Sequence, residues 1–349
     1  MRADFSLVEG EYLQDILDQP RALDDTVTGL EVTKDLHQLA ARLQKGKFKG
    51  VVLTGMGSSF HALHPLYVDL IRAGIYAVMV ETSELVHYQN RLFDRSHLIM
   101  AVSQSGRSAE VVRLLQSNRG RSLIIGITNT PDSPLARSSE ACIFTRAGKE
   151  YSVSCKTYVT SLIALRWLAD LICERDVRRT LRELKSALPS AQKYLAGWKD
   201  HVQELCERLR NIRQLFIVGR GSSLAAVGTG ALIIKEADHF PAEGMSSAAF
   251  RHGPFEMIGH ETSVLVFAGE RETRDLNRGL FRDIREHQGR AEWIGEDSDF
   301  APFVLPQSPR SFTPLLEILP MEMITLALAS QVGREPGRFS LCSKVTTKE

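Results

Sequence analysis

A strand-turn-helix pattern occurs twice in this chain, and the repeat restricts the fold more than any other feature. The apolar run Val51-Val52-Leu53-Thr54 breaks into Gly55-Met56-Gly57-Ser58-Ser59-Phe60-His61-Ala62. Farther on, Leu215-Phe216-Ile217-Val218 breaks into Gly219-Arg220-Gly221-Ser222-Ser223-Leu224-Ala225-Ala226. Gly57 corresponds to Gly221, Ser58 and Ser59 to Ser222 and Ser223, and, at the same offset, Ala73 to Ala237. Each copy carries further apolar strands: Leu98–Val102, Leu123–Thr128 and Cys142–Thr145 in the first, Ser263–Ala268 and Ala291–Ile294 in the second. Strands alternating with helices at this spacing predict an α/β fold of two tandem subdomains, each a parallel sheet covered by helices on both faces. The stretch from Lys156 to Arg213 reads as helical, with Leu162, Leu165, Leu168 and Leu171 on one side and a charged, exposed run from Arg175 to Lys199.

The turns point to an anion. In the first copy, Leu98-Ile99-Met100-Ala101 runs into Val102-Ser103-Gln104-Ser105-Gly106-Arg107-Ser108. Several hydroxyls and a glycine after a strand can wrap a phosphate with side-chain oxygens and backbone N–H groups. The segment Ala109–Leu115 has helical spacing, so the loop lies at a helix N-terminus, whose dipole adds to anion binding. Neither turn is a dinucleotide fingerprint, because the third glycine is missing, and neither ends in the Gly-Lys-Ser/Thr of a P-loop. Two hydroxyl-rich turns at the carboxyl ends of neighbouring strands suit a sugar phosphate. The second copy has Phe267-Ala268-Gly269-Glu270 where the first has Ser103-Gln104-Ser105-Gly106. An acidic, hydroxyl-poor loop predicts one phosphate site per chain, in the first half.

Composition narrows the class. The 349 residues are 43% hydrophobic and 24% charged, which suits a globular chain with room for two domains. A net charge of +1 without a basic stripe argues against a nucleic-acid partner. No apolar run approaches the roughly 20 residues of a membrane span, so no membrane partner is expected. Met1-Arg2-Ala3-Asp4-Phe5 carries no apolar signal core, and the five cysteines (Cys142, Cys155, Cys173, Cys206 and Cys342) form no CxxC pair. Both features predict a cytoplasmic chain with reduced thiols. No cofactor and no metal are expected, since His252, Glu256 and His260 lack the spacing of a helical ligand pair across Gly253-Pro254.

The duplicated turns, together with Phe250-Arg251-His252-Gly253-Pro254, resemble the sugar isomerase (SIS) family, and most closely the isomerase module of glucosamine-6-phosphate synthase and its stand-alone relatives. Ile16-Leu17-Asp18-Gln19-Pro20-Arg21-Ala22-Leu23 is similar to that module's opening, Ser154-Cys155-Lys156-Thr157 to its Ser-Thr-Lys segment, and Ser343-Lys344-Val345-Thr346 to its tail. The resemblance implies two tandem SIS subdomains of flavodoxin-like type. Their expected extents are a helical segment 1–30, subdomain 31–190 with the phosphate site, subdomain 191–335, and a tail 336–349 that contributes to the active site. It implies Ser59, Ser103, Gln104, Ser105 and Ser108 as phosphate ligands, with Gly57 and Ser58 at the turn and Ser154 near the sugar hydroxyls. Glu236 falls where the family has its proton-transferring glutamate. His252 falls where the family has the ring-opening histidine, which reaches in from a neighbouring subunit, so a homodimer or larger homo-oligomer with shared active sites is implied.

Those residue types fit the chemistry. Moving a proton between C1 and C2 of a sugar needs a carboxylate near the carbons and a second acid/base near the ring oxygen. A partly buried glutamate can act as base, and histidine changes charge near neutrality. The chain departs from the synthase in several places. Its lysine three residues before the glutamate is Ile233 here, and the glutamate near His-Gly-Pro is Ala249. The imine-forming lysine directly before Ser-Val-Thr is Ser343, and Lys344 stands one position along, which in an extended tail turns the side chain to the opposite face. No glutaminase domain is seen, so no ammonia drawn from glutamine is expected. A substrate that already carries an amine does not need Lys344 as catalyst. The reading is a deglycase that splits an amine adduct of a hexose 6-phosphate into the sugar phosphate and free amine. An aldose–ketose isomerase or a glucosamine-6-phosphate deaminase is the alternative, and a non-catalytic sugar-phosphate sensor a further one.

Overall fold

A computed structural model describes residues 3–309, 312–341 and 343–347, so the Cys342 expectation lies outside the described residues. The chain forms two compact units: Arg21–Lys149, Lys156–Ser186 and Leu341–Glu349 in one, Met1–Pro20, Glu150–Cys155 and Ala187–Ser340 in the other.

The first of these units holds a parallel sheet of β1 (Gly50–Gly55), β2 (Ala77–Glu81), β3 (His97–Val102), β4 (Leu123–Thr128) and β5 (Ala141–Phe144), in the order β2-β1-β3-β4-β5. β1 and β3 read as unbroken apolar runs because helices cover both of their faces; every residue of β1 is buried. Val52, Ile99 and Ala101 pack with Val111, Leu114 and Leu135 beneath the helices of one face.

The second unit repeats the plan with β6 (Gln214–Gly219), β7 (Ala242–Ser246), β8 (Thr262–Phe267) and β9 (Arg290–Ile294), in the order β7-β6-β8-β9. This matches β2-β1-β3-β4 strand for strand, so the sequence repeat is a repeat of topology. β2 and β7 are edge strands with partly exposed residues, which is why their sequences look mixed.

Helix Ile318–Val332 is the axis of this unit's core, buried from Ile318 through Ser330. It packs against helices Leu224–Asp238 and Trp198–Arg208. The close approach needs Gly230: a Cβ there would lie 2.7 Å from Met321 Cγ.

Two expectations are corrected. The stretch Thr313–Val332 is, by length and composition, long and apolar enough to cross a membrane, contrary to the reading that no such run exists. Its 89% burial inside the protein makes it a core helix here, and the buried Glu317 and Glu322 had hidden its length. The run from Arg175 to Lys199 is not exposed throughout. Helix Val177–Ala196 buries Leu184, Ala187, Ala191 and Leu195, a stripe that the arginines and lysines between them mask in the average.

Candidate functional site

β1 and β3 are hydrogen-bonded neighbours, with Thr54 opposite Ala101, so the turns that follow them emerge side by side. A Cβ on Gly55 would lie 3.1 Å from the Val102 carbonyl oxygen, which shows how tightly they meet. Gly57, at φ +52°, turns the chain into the short helix Gly57–His61, and Ser58 and Ser59 are half-buried on it. The structure therefore brings Gly57, Ser58 and Ser59 together with the loop 103–108 at one edge of one sheet.

That loop keeps its donors in reserve. The Gly106 N–H donates to Ser103 Oγ at 3.1 Å, and the Arg107 N–H to Ser105 Oγ at 3.3 Å. Both hydroxyl oxygens thus act as acceptors within the loop and retain their O–H hydrogens, although Ser103 and Ser105 are only 8% and 9% exposed. The Gln104 carbonyl is turned to the end of β4, where it accepts from Asn129 N (3.0 Å), Thr128 Oγ1 (3.1 Å) and Thr130 Oγ1 (3.4 Å). Across a trans peptide the next N–H, that of Ser105, points the other way. Among the described residues, no acceptor meets the backbone N–H of Gln104, Ser105 or Ser108. Ser108 begins helix Ala109–Asn118 as its N-cap, without a side-chain cap bond of its own.

Orphan donors in a loop at a helix N-terminus are groups that an anion can accept from. The chain itself offers an acceptor there: the Thr346 carbonyl takes the Ala109 N–H at 3.0 Å, which lays the tail carrying the half-buried Lys344 against the start of this helix. Sequence reasoning missed Thr128, Asn129 and Thr130, whose part in orienting Gln104 is tertiary. It noted Gly106 without seeing why glycine is needed. At φ +60° a Cβ would collide with Ser133 Oγ.

The matching turn of the other unit is spent. Ser222 donates to Glu270 Oε1 through Oγ at 2.7 Å and through its N–H at 3.3 Å. Ser223 Oγ donates to Glu317 Oε1 at 2.8 Å. Glu317 is fully buried, and burial pushes its carboxyl up to about 7, with the Glu270 charge adding to the rise. Here the protein's own carboxylates take the hydroxyls that the first half leaves available.

Glu236 lies on helix Leu224–Asp238 and is half-buried, between the exposed Lys235 and the buried Ala237, so it is not a fully solvated helix charge. His252 ends helix Ser247–Arg251, exposed, just before Gly253 at φ +128°. Ser154 is half-exposed in the loop 150–155. His64 is pushed down to about 4 by burial and remains neutral, a packing residue beside the stacked His61 ring. Burial lifts the Cys142 thiol to about 12, so it is no nucleophile. Among the described residues, no group of three or more His, Cys, Asp or Glu side chains could hold a metal ion.

The profile of the SIS domain matches residues 47–171 and 208–292, more than half of the chain. A glutamine–fructose-6-phosphate aminotransferase (isomerizing) from Pyrobaculum aerophilum is 29% identical over 351 residues, covering 97% of this chain and 57% of that protein. The chain thus spans little more than half the length of such relatives. A solved structure from Silicibacter pomeroyi DSS-3, provisionally assigned as a phosphosugar isomerase, is 28% identical with a TM-score of 0.76, over 93% of this chain and 99% of that one. The C-terminal domain of glucosamine-fructose-6-phosphate aminotransferase from Francisella tularensis shares the fold at TM-score 0.80 and 21% identity, over 93% of this chain and 97% of that one. Two parallel sheets with a repeated strand order, the paired Gly-Ser turns and these matches agree: the chain belongs to the SIS domain family.

Proposed function

We propose that this chain is an enzyme that processes an aminated hexose 6-phosphate, cleaving the adduct into hexose 6-phosphate and free amine. The observation that carries the reading is the loop 103–108, with three backbone N–H groups lacking an acceptor among the described residues and two serine hydroxyls free to donate. Such a set matches the several acceptor oxygens of a phosphate. The spent turn at Ser222 and Ser223 supports one phosphate per chain.

In this reading the phosphate fixes the sugar and Glu236 moves a proton from C1 to C2 of a fructosamine 6-phosphate. The product is an imine between C1 of glucose 6-phosphate and the amine. Water adds to that imine and expels the amine. His252 transfers the proton that opens the ring, and Ser154 meets a sugar hydroxyl. Because the amine of the substrate forms the imine, Lys344 is not required. The isomerase and deaminase reading differs at this point, and the half-buried place of Lys344 on the tail against helix Ala109–Asn118 speaks for it.

One assay separates them. The chain is incubated with fructosamine 6-phosphates, with glucosamine 6-phosphate, and with fructose 6-phosphate plus ammonia, and released amine and glucose 6-phosphate are measured. Amine release from an amino-acid adduct is expected. Glu236→Gln should abolish turnover while binding persists, because a proton-transfer group acts on the transition state. Turnover of glucosamine 6-phosphate without the adducts would move the assignment to the deaminase. Turnover of fructose 6-phosphate to glucose 6-phosphate alone would make the chain an isomerase. Sugar-phosphate binding with no turnover at all would make it a sensor, with Glu236 dispensable.

A further inference from the structure

The segment Glu150–Cys155 has no regular secondary structure, yet four of its six residues are buried. Glu150 is 5% exposed, and its Oε1 accepts from the Cys155 N–H at 3.0 Å. The Cys155 thiol donates to the same oxygen at 3.6 Å, which closes the loop into a ring. Asp15 Oδ2, also buried, accepts from the Tyr151 N–H at 2.5 Å and pins the loop to helix Glu11–Leu17. Behind the loop, Gly337 sits so close that a Cβ on it would lie 2.7 Å from Ser152 Oγ. Ser152, Val153 and Cys155 are buried, whereas Tyr151 is exposed and Ser154 is half-exposed. Ser154 is the chain neighbour of Cys155, which Glu150 holds through both its N–H and its thiol.

We infer that Glu150 is a positioning residue: its carboxylate closes the loop 150–155 and so aims the Ser154 hydroxyl at the sugar. The inference rests on the proposed reading, in which Ser154 meets a sugar hydroxyl. Charge-assisted bonds from a carboxylate to a backbone N–H are among the stronger kinds, and this one is shielded from water.

The test is a double-mutant cycle read by calorimetric titration with fructose 6-phosphate, with thermal melting of each variant alongside. Glu150→Met keeps the volume and removes the acceptor, whereas Glu150→Gln keeps an acceptor oxygen. Ser154→Ala should raise the Kd about fivefold, the effect of one hydrogen bond. Glu150→Met should raise it by a similar factor, the double variant should add little, and Glu150→Gln should restore most of the affinity. If Ser154→Ala leaves the Kd unchanged, the reading of Ser154 fails and the inference falls with it. If Ser154→Ala weakens binding but a cooperatively melting Glu150→Met does not, or the two effects add, the inference alone is overturned. If Glu150→Met does not melt cooperatively, Glu150→Asp, which shortens the arm and keeps its charge, carries the same cycle with the same outcomes.

Discussion

Ser105 is the residue at which loop geometry and anion chemistry coincide. It is nearly buried, its oxygen is occupied by the Arg107 N–H, and its hydrogen is available. Ser105→Ala removes one donor to a doubly charged ligand, a loss of about 2 kcal/mol and so roughly thirtyfold in affinity. Titration with fructose 6-phosphate checks this, and an unchanged Kd would reject the phosphate assignment. Hydroxyls and glycine after an apolar strand made the loop recognisable as a sequence. The supports of Gln104 were not recognisable, because Thr128, Asn129 and Thr130 reach it across the β3–β4 pairing, 24 or more residues away.

At the scale of the element, the two Gly-Ser turns show how one motif takes opposite states. Around Gly57 the donors of the adjoining loop stay available; around Gly221 they are consumed by Glu270. Glu270→Ala should free the Ser222 N–H and hydroxyl and lower the Glu317 pKa, since the Glu270 charge helps to hold it up. Titration of this variant with inorganic phosphate is expected to show a second, weaker binding event per chain. A single event would mean that Glu270 is not what keeps the turn from anions. The acidic loop was readable from the sequence, but the second carboxyl on this turn was not: Glu317, which accepts from Ser223, is 94 residues from it and lies just before what reads as a plain apolar helix.

For the whole molecule, the buried acids of the core segment contribute to the response to pH. Burial raises Glu322 to about 8, opposed by the hydrogen bond from Gln19, and Glu317 to about 7. Both folded values lie above the ordinary carboxyl value of 4.5. The folded state therefore binds more protons than the unfolded chain between about 4.5 and 8. Their contribution to stability is complete below the unfolded value and is lost as pH rises through 7 to 8. The melting temperature should fall across this window by several degrees, and Glu322→Gln, which cannot ionise, should flatten the fall. A melting temperature constant from pH 5 to 8.5 would contradict the buried, protonated state. Assembly belongs to the same scale. If His252 serves a neighbouring subunit's site, mixing inactive Glu236→Gln and His252→Ala chains should restore part of the activity after subunit exchange. Proven exchange without recovery would assign each site to a single chain.

Short-range pattern alone determined the two parallel sheets, their repetition and the place of the hydroxyl-rich loop. Unbroken apolar strands, hydroxyl-rich turns and a fixed offset of 164 between Gly57 and Gly221 are all local or periodic signals. What the sequence left open depends on partners far apart in the chain. A buried carboxyl such as Glu322 is written no differently from an exposed one, and Gln19, which holds it, is 303 residues distant. The helix 177–196 looked solvated because a buried stripe one residue wide disappears among its charges. The tertiary structure decided which turn keeps its donors, which acids lose their charge and which loop a carboxylate closes. Those outcomes follow from desolvation and from hydrogen-bond partners supplied by packing, and neither is encoded in a residue's near neighbours.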